Sequence, residues 1–244
     1  MSKTLCRLLA LCALVAPLAA QGQIVNGGFE AGTTAGWTVI GQGTTKTSSF
    51  GVAPTAGTRM GYVDTTGNST VLPPPIITAL GLDTADIMGL AIGGAPTRGS
   101  CMYQDVTVAP GDIMIFDWNF CTDELDESAT FNDYAFFSIS DTADLSGTSA
   151  AHFLASRNAS TYNTVSPPPG FDGQTGWTIG ETYTFTSAAT YRVGFVTFNV
   201  GDSGHNSALL FDAVVVPEPS VAAMLLLPPL VIAGFSRRAR SAAR

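Results

Sequence analysis

Along residues 113–120 the chain alternates strictly. Met114, Phe116, Trp118 and Phe120 fall on one face of an extended backbone, and Ile113, Ile115, Asp117 and Asn119 on the other. A period of two is the mark of a β-strand, and the aromatic face is the one to bury. Residues 101–108 read as a second extended stretch, and Ala109-Pro110-Gly111-Asp112 between them places Pro before Gly as a type II turn requires. Together they predict a hairpin. Shorter apolar runs predict strands at 60–63, 134–140, 182–185, 191–200 and 208–216. Residues 41–75, rich in Gly, Thr, Ser and Pro, read as strands and long loops without a helix. Residues 141–180 read as mostly polar loop, with Pro167, Pro168 and Pro169 as a stiff surface link. One short helix is expected within 76–92, where Ile77, Leu80, Ile87 and Leu90 recur among small residues and Asp83 and Thr84 offer caps. No internal repeat is present. The pattern is that of an all-β domain.

Two segments stand apart from that domain. At the N-terminus Lys3 and Arg7 precede the apolar run 8–18, and Ala19, Ala20 and Gly22 offer small residues for cleavage. Residues 1–22 therefore read as a secretory signal peptide. At the other end Pro217-Glu218-Pro219 breaks any preceding strand, because proline lacks an N–H donor and holds the backbone extended. An apolar run follows at 221–235, then Arg237, Arg238, Arg240 and Arg244 with no acid among them. Fifteen residues make a helix of about 22 Å against a hydrocarbon core of about 30 Å, so a span over 220–236 draws on flanking residues and local thinning. The arginines favour a cytoplasmic end.

What remains, 23–216, is long enough for one β-sandwich. It carries 18 acids and five bases (Lys46, Arg59, Arg98, Arg157 and Arg192), a formal charge of −13. That balance argues against nucleic acid or anionic membrane as a partner and suits a soluble, cation-binding extracellular module. Only Cys101 and Cys121 remain in it. In an oxidising compartment they have the choice of one disulfide or two free thiols.

The C-terminal order of Pro-Glu-Pro, apolar run and arginine cluster resembles the PEP-CTERM sorting signal of Gram-negative bacteria that make extracellular polysaccharide. The resemblance implies three parts: signal peptide 1–22, ectodomain 23–216 and sorting signal 217–244. It also implies a transient inner-membrane anchor and an exosortase that recognises Pro217, Glu218, Pro219, Arg237 and Arg238. Cutting near Pro217 to Pro219 would then pass the domain to the cell surface or matrix. The blocks 104–120, 131–137 and 201–212 are similar to ectodomains found ahead of such signals, a type with no established activity to carry over.

The mature start, Ile24-Val-Asn-Gly-Gly-Phe-Glu30 followed by Gly36-Trp37, resembles the opening strand of galactose-binding-like and carbohydrate-binding β-sandwiches, and 209–216 the last strand of the same jelly roll. Such sandwiches carry a structural Ca²⁺ between the opening Glu and an Asp of the last strand, here Glu30 and Asp212. A second acidic group, Asp123, Glu124, Asp126, Glu127 and Asp133 framed by Asp117, is either a solvated loop or a loop ordered by Ca²⁺; it lacks EF-hand spacing. Trp177, after Gly176, is the candidate for stacking on a glycan. No G-x-S-x-G elbow, P-loop, dinucleotide fingerprint or zinc cluster occurs. A Ser-His-Asp arrangement would have to use His205 with Ser203 or Ser207 and Asp202 or Asp212. The expectation is an exported, non-catalytic surface or matrix protein with exosortase and extracellular polysaccharide as partners. The alternative is a carbohydrate-active module, binder or hydrolase.

Overall fold

Alternation sorts the side chains of each long strand onto two faces, and this chain buries both. The structure, a computed structural model, describes residues 23–67, 73–83, 85, 87, 90, 94–127, 129–145 and 150–217. Residues 1–22, expected to be a signal peptide, and Thr84, Glu218, Pro219, the run 220–236, Arg237 and Arg238 lie outside the described residues. Among the described residues no helix is long and apolar enough to cross a membrane.

Strands β1 (Thr38–Ile40), β4 (Pro96–Val108), β10 (Ala189–Val200), β6 (Tyr134–Asp141) and β7 (Ala150–Ser156) form one antiparallel sheet in that order. The second runs β2 (Gln42–Lys46), β3 (Met60–Asp64), β11 (Ser207–Val215), β5 (Ile113–Thr122), with β8 (Gly173–Gln174) and β9 (Thr178–Thr184) both pairing β5. Facing each other, the sheets make a β-sandwich with the jelly-roll class expected from the sequence. Between them lie Met102, Val106 and Val108 of β4, Met114, Phe116, Trp118 and Phe120 of β5, Phe137 of β6, Phe195 of β10 and Phe211 of β11.

The outer faces are covered as well. Helix α1 (Pro73–Leu80) lays Ile76 and Leu80 on Cys101, Tyr134, Phe136 and Phe198 of the first sheet. Loop residues Val52 and Phe171, with Phe50 and Trp177 beside them, cover Met60, Tyr62, Cys121 and Leu210 of the second. α1 starts at Pro73, three residues before the expected helix. Three prolines are tolerated there because first-turn N–H groups have no intrahelical acceptor. Ala85, Ile87 and Leu90 are helical too, beyond the turn at Gly81.

Several expectations need correction. The 101–120 stretch is not a hairpin: β4 and β5 belong to different sheets. The turn itself is as expected, with Asp112 N–H donating to Ala109 O at 3.1 Å and Gly111 at φ +88°. A turn reverses the chain without fixing the plane of pairing. Both strands have an apolar inner face, and these bury against each other only across the sandwich. Residues 141–180 are mostly loop, as expected, but they also hold β7, β8 and the start of β9. Small residues such as Ala151 and Ala155 dilute the alternation of β7, which hid it. The opening motif is a series of turns rather than a strand, and the first strand begins only at Thr38.

Cys101 and Cys121 are free and buried on opposite outer faces, with the aromatic core between them. Burial pushes the Cys101 thiol up to about 12 and raises that of Cys121 too. Both should therefore persist as thiols in the folded domain. Alkylation in denaturant without reductant should modify both; a mass two protons lower and no modification would overturn the placement.

Candidate binding site and buried carboxylates

The turn-rich opening places Glu30 at the rim of the sandwich. Asn26 organises these turns: its side chain donates to Thr33 O and Ala35 O and accepts from Ala31 N–H. Phe29, fully buried, plugs the core and stacks on Trp37 at 5.5 Å. Gly27 admits the last strand, since a Cβ there would lie 1.9 Å from Val214 O. Its own carbonyl accepts from Val214 N–H at 3.1 Å.

Glu30 and Asp212 meet the same loop from two sides. Asp212 Oδ2 accepts from Thr55 N–H (2.9 Å), Thr55 Oγ1–H (3.1 Å) and Ala56 N–H (3.0 Å), and Oδ1 from Ala213 N–H (2.7 Å). Glu30 Oε1 accepts from Thr58 N–H (2.9 Å) and Arg59 N–H (2.8 Å), and Oε2 from Thr58 Oγ1–H (2.9 Å). The backbone and hydroxyl donors of Thr58 lower the Glu30 pKa. Burial raises that of Asp212 against the pull of its N–H donors. The two acids named from the sequence thus hold one loop, and the oxygens expected to hold Ca²⁺ serve here as acceptors that close residues 55–59. Asp212 also faces Asp117 across β11 and β5, and Asp117 Oδ1 is in turn occupied by Gly180 N–H at 2.8 Å.

The acidic loop splits. Asp123, Asp126 and Glu127, with Gly170, Phe171, Asp172 and His205, line an open cleft of about 530 Å³. His205 bridges it: Nδ1–H donates to Asp123 O at 3.0 Å, and Nε2 lies 3.3 Å from Glu127 Oε1. Partial burial opposes the charged ring, but the Asp123 carbonyl and the charges of Asp123, Glu127 and Asp202 outweigh it and raise the His205 pKa. Burial raises that of Asp123.

Glu124 and Asp133 turn the other way and have no exposed surface at all. Glu124 Oε2 accepts from Asp133 N–H (3.3 Å) and Asp133 Oδ1 from Val200 N–H (2.8 Å). Burial pushes Glu124 up to about 6 and Asp133 well above the carboxylate range. A solvated loop thus describes Asp126 and Glu127 but not these two. No cluster of three or more His, Cys, Asp or Glu side chains arranged to hold a metal occurs among the described residues.

The remaining candidates are accounted for by packing. Trp177 donates its indole N–H to Ala53 O at 2.8 Å and lies against the outer cluster around Tyr62 and Phe171. Ser207 Oγ donates to Thr122 Oγ1 (2.9 Å), while His205 turns to Asp123 and Glu127. Pro217 is exposed two residues past the end of β11. The carboxylate cleft around His205 had no sequence signal beyond the acidic run, since Asp172 and His205 arrive from distant loops.

The sequence matches no family model and no curated protein. Among solved structures, the chain is similar to TmCBM61 in complex with beta-1,4-galactotriose, at 13% identity and a TM-score of 0.38, covering 78% of this chain and 93% of that one. It is similar to the K3 cleaved adhesin domain of Lys-gingipain from Porphyromonas gingivalis W83 at 16% identity and a TM-score of 0.39, covering 80% and 98%. A xylan-binding domain from CBM 22 gives 15% identity and a TM-score of 0.33, covering 80% and 93%. Likeness at this level does not bear on what the chain binds.

Proposed function

We propose that the chain is an exported, non-catalytic surface or matrix protein, handed over by an exosortase and attached to extracellular polysaccharide. The observation that carries delivery is the order of Pro217-Glu218-Pro219, apolar run and arginines behind a finished sandwich. Contact with glycan belongs in the cleft of Asp123, Asp126, Glu127, Asp172 and His205, whose volume is that of a small-ligand site. Its carboxylates accept hydrogen bonds from sugar hydroxyls, and the same charge repels uronate or sulfate groups, so the glycan is neutral.

The deciding experiment is the intact mass of the protein isolated from the surface or matrix of its host. A C-terminus between Pro217 and Pro219 is expected, whereas a chain still ending at Arg244 sinks the delivery reading. For the glycan, the double change Asp126→Ala and Asp172→Ala should weaken retention on neutral polysaccharide at least about tenfold, the loss of one or two charge-assisted hydrogen bonds. Unchanged retention removes the cleft from the proposal. Turnover of the polysaccharide that is lost in the same variant would favour a hydrolase.

A further inference from the structure

We propose that the buried carboxylates of Glu124 and Asp133 hold a calcium ion that joins the two sheets at one end of the sandwich. Glu124 follows β5, Asp133 precedes β6, Val200 ends β10 and Ser207 opens β11, so strands of both sheets converge there. Each carboxylate has one oxygen on a backbone N–H, and the other, Glu124 Oε1 or Asp133 Oδ2, is buried without a hydrogen-bond partner. Fully buried acids are rare unless paired, and an orphaned buried oxygen calls for a water, a proton or an ion.

No protein cation supplies the missing charge. Among the described residues the ion pairs are Arg192 with Asp105 and His205 with Asp123 and Glu127. Arg157 is close, but it donates to the carbonyls of Glu124, Leu125 and Glu127 and leaves both carboxylates alone. Asp123 and Asp202 add further negative charge around Glu124. One shared proton neutralises half of the buried pair; a divalent cation neutralises all of it.

Further oxygens are near: Thr122 Oγ1 and Ser207 Oγ are 2.9 Å apart at the ends of β5 and β11. Oxygens from three strand ends suit the adaptable coordination of Ca²⁺ better than the strict octahedron of Mg²⁺, and extracellular calcium is abundant enough for a site of modest affinity. The contrast with Glu30 and Asp212 is in the donors: there every carboxylate oxygen is taken, whereas here one on each acid is open.

The test uses the full chain, stripped with chelator, melted with and without CaCl₂ and assayed for bound metal. Calcium at about 100 times its dissociation constant should raise Tm by about 5–10 °C with one equivalent bound. Glu124→Gln and Asp133→Asn should each abolish the rise and the binding, while Glu30→Gln keeps both. Glu124→Gln without calcium should melt no lower than the stripped wild type, which separates lost binding from lost folding. A response that vanishes in Glu30→Gln and survives in Glu124→Gln puts the ion on the 55–59 loop and overturns the proposal. No response in the wild type overturns it too, leaving a proton between the buried acids.

Discussion

Replacing Phe211 by alanine is expected to cost about 4 kcal/mol of folding stability. Phe211 is fully buried on β11, between β3 and β5. Its ring stacks on Phe195 of the opposite sheet at 4.2 Å and 13°, and takes the edges of Phe29 at 5.3 Å and Trp37 at 5.7 Å. Removing it leaves a void that neighbours held in paired strands cannot collapse into, so the cavity adds to the lost transfer free energy. The readout is the urea midpoint at unchanged m-value. Val215→Ala, on the same strand but 45% exposed, should change stability by less than about 0.5 kcal/mol. Equal losses for the two would mean that β11 is not central to the core.

Asp212→Ala should cost about 3 kcal/mol, because it leaves the N–H groups of Thr55, Ala56 and Ala213 without their acceptor. Half-buried donors recover some of this from water, which keeps the loss below the sum of separate bonds. Loop 55–59 then loosens, and proteolysis should cut it first. Asp212→Asn keeps an acceptor oxygen but turns an amide N–H₂ toward backbone donors, so it should fall between. Glu30, exposed at the rim, should matter much less to stability. If Asp212→Ala were silent in denaturation and proteolysis, the hydrogen-bonded latch would not be holding the loop.

The inward face of β5 was legible from the sequence because Met114, Phe116, Trp118 and Phe120 keep one period for four turns of the pleat. Glu30 and Asp212 were legible only through resemblance, and their hold on residues 55–59 through N–H and hydroxyl donors was not legible at all. The acidic run was legible as a concentration of charge but not as two separate groups. Asp123 and Glu124 are neighbours just past the end of β5 and point to opposite sides, one to the cleft and one into the interior. Which side is interior depends on β6, β10 and β11, which lie far away in the chain.

By itself, the sequence determined the strand periodicity, the turn at Gly111, the negative charge of the domain and the break at Pro217, all of which follow from side-chain and backbone properties within a few residues. Tertiary structure alone decided that β4 and β5 face each other across a core, that Cys101 and Cys121 stand on opposite faces, and that Glu124 and Asp133 are buried side by side. Those outcomes depend on which strand edges and apolar faces remain free once all the strands have come together, and no local pattern encodes that.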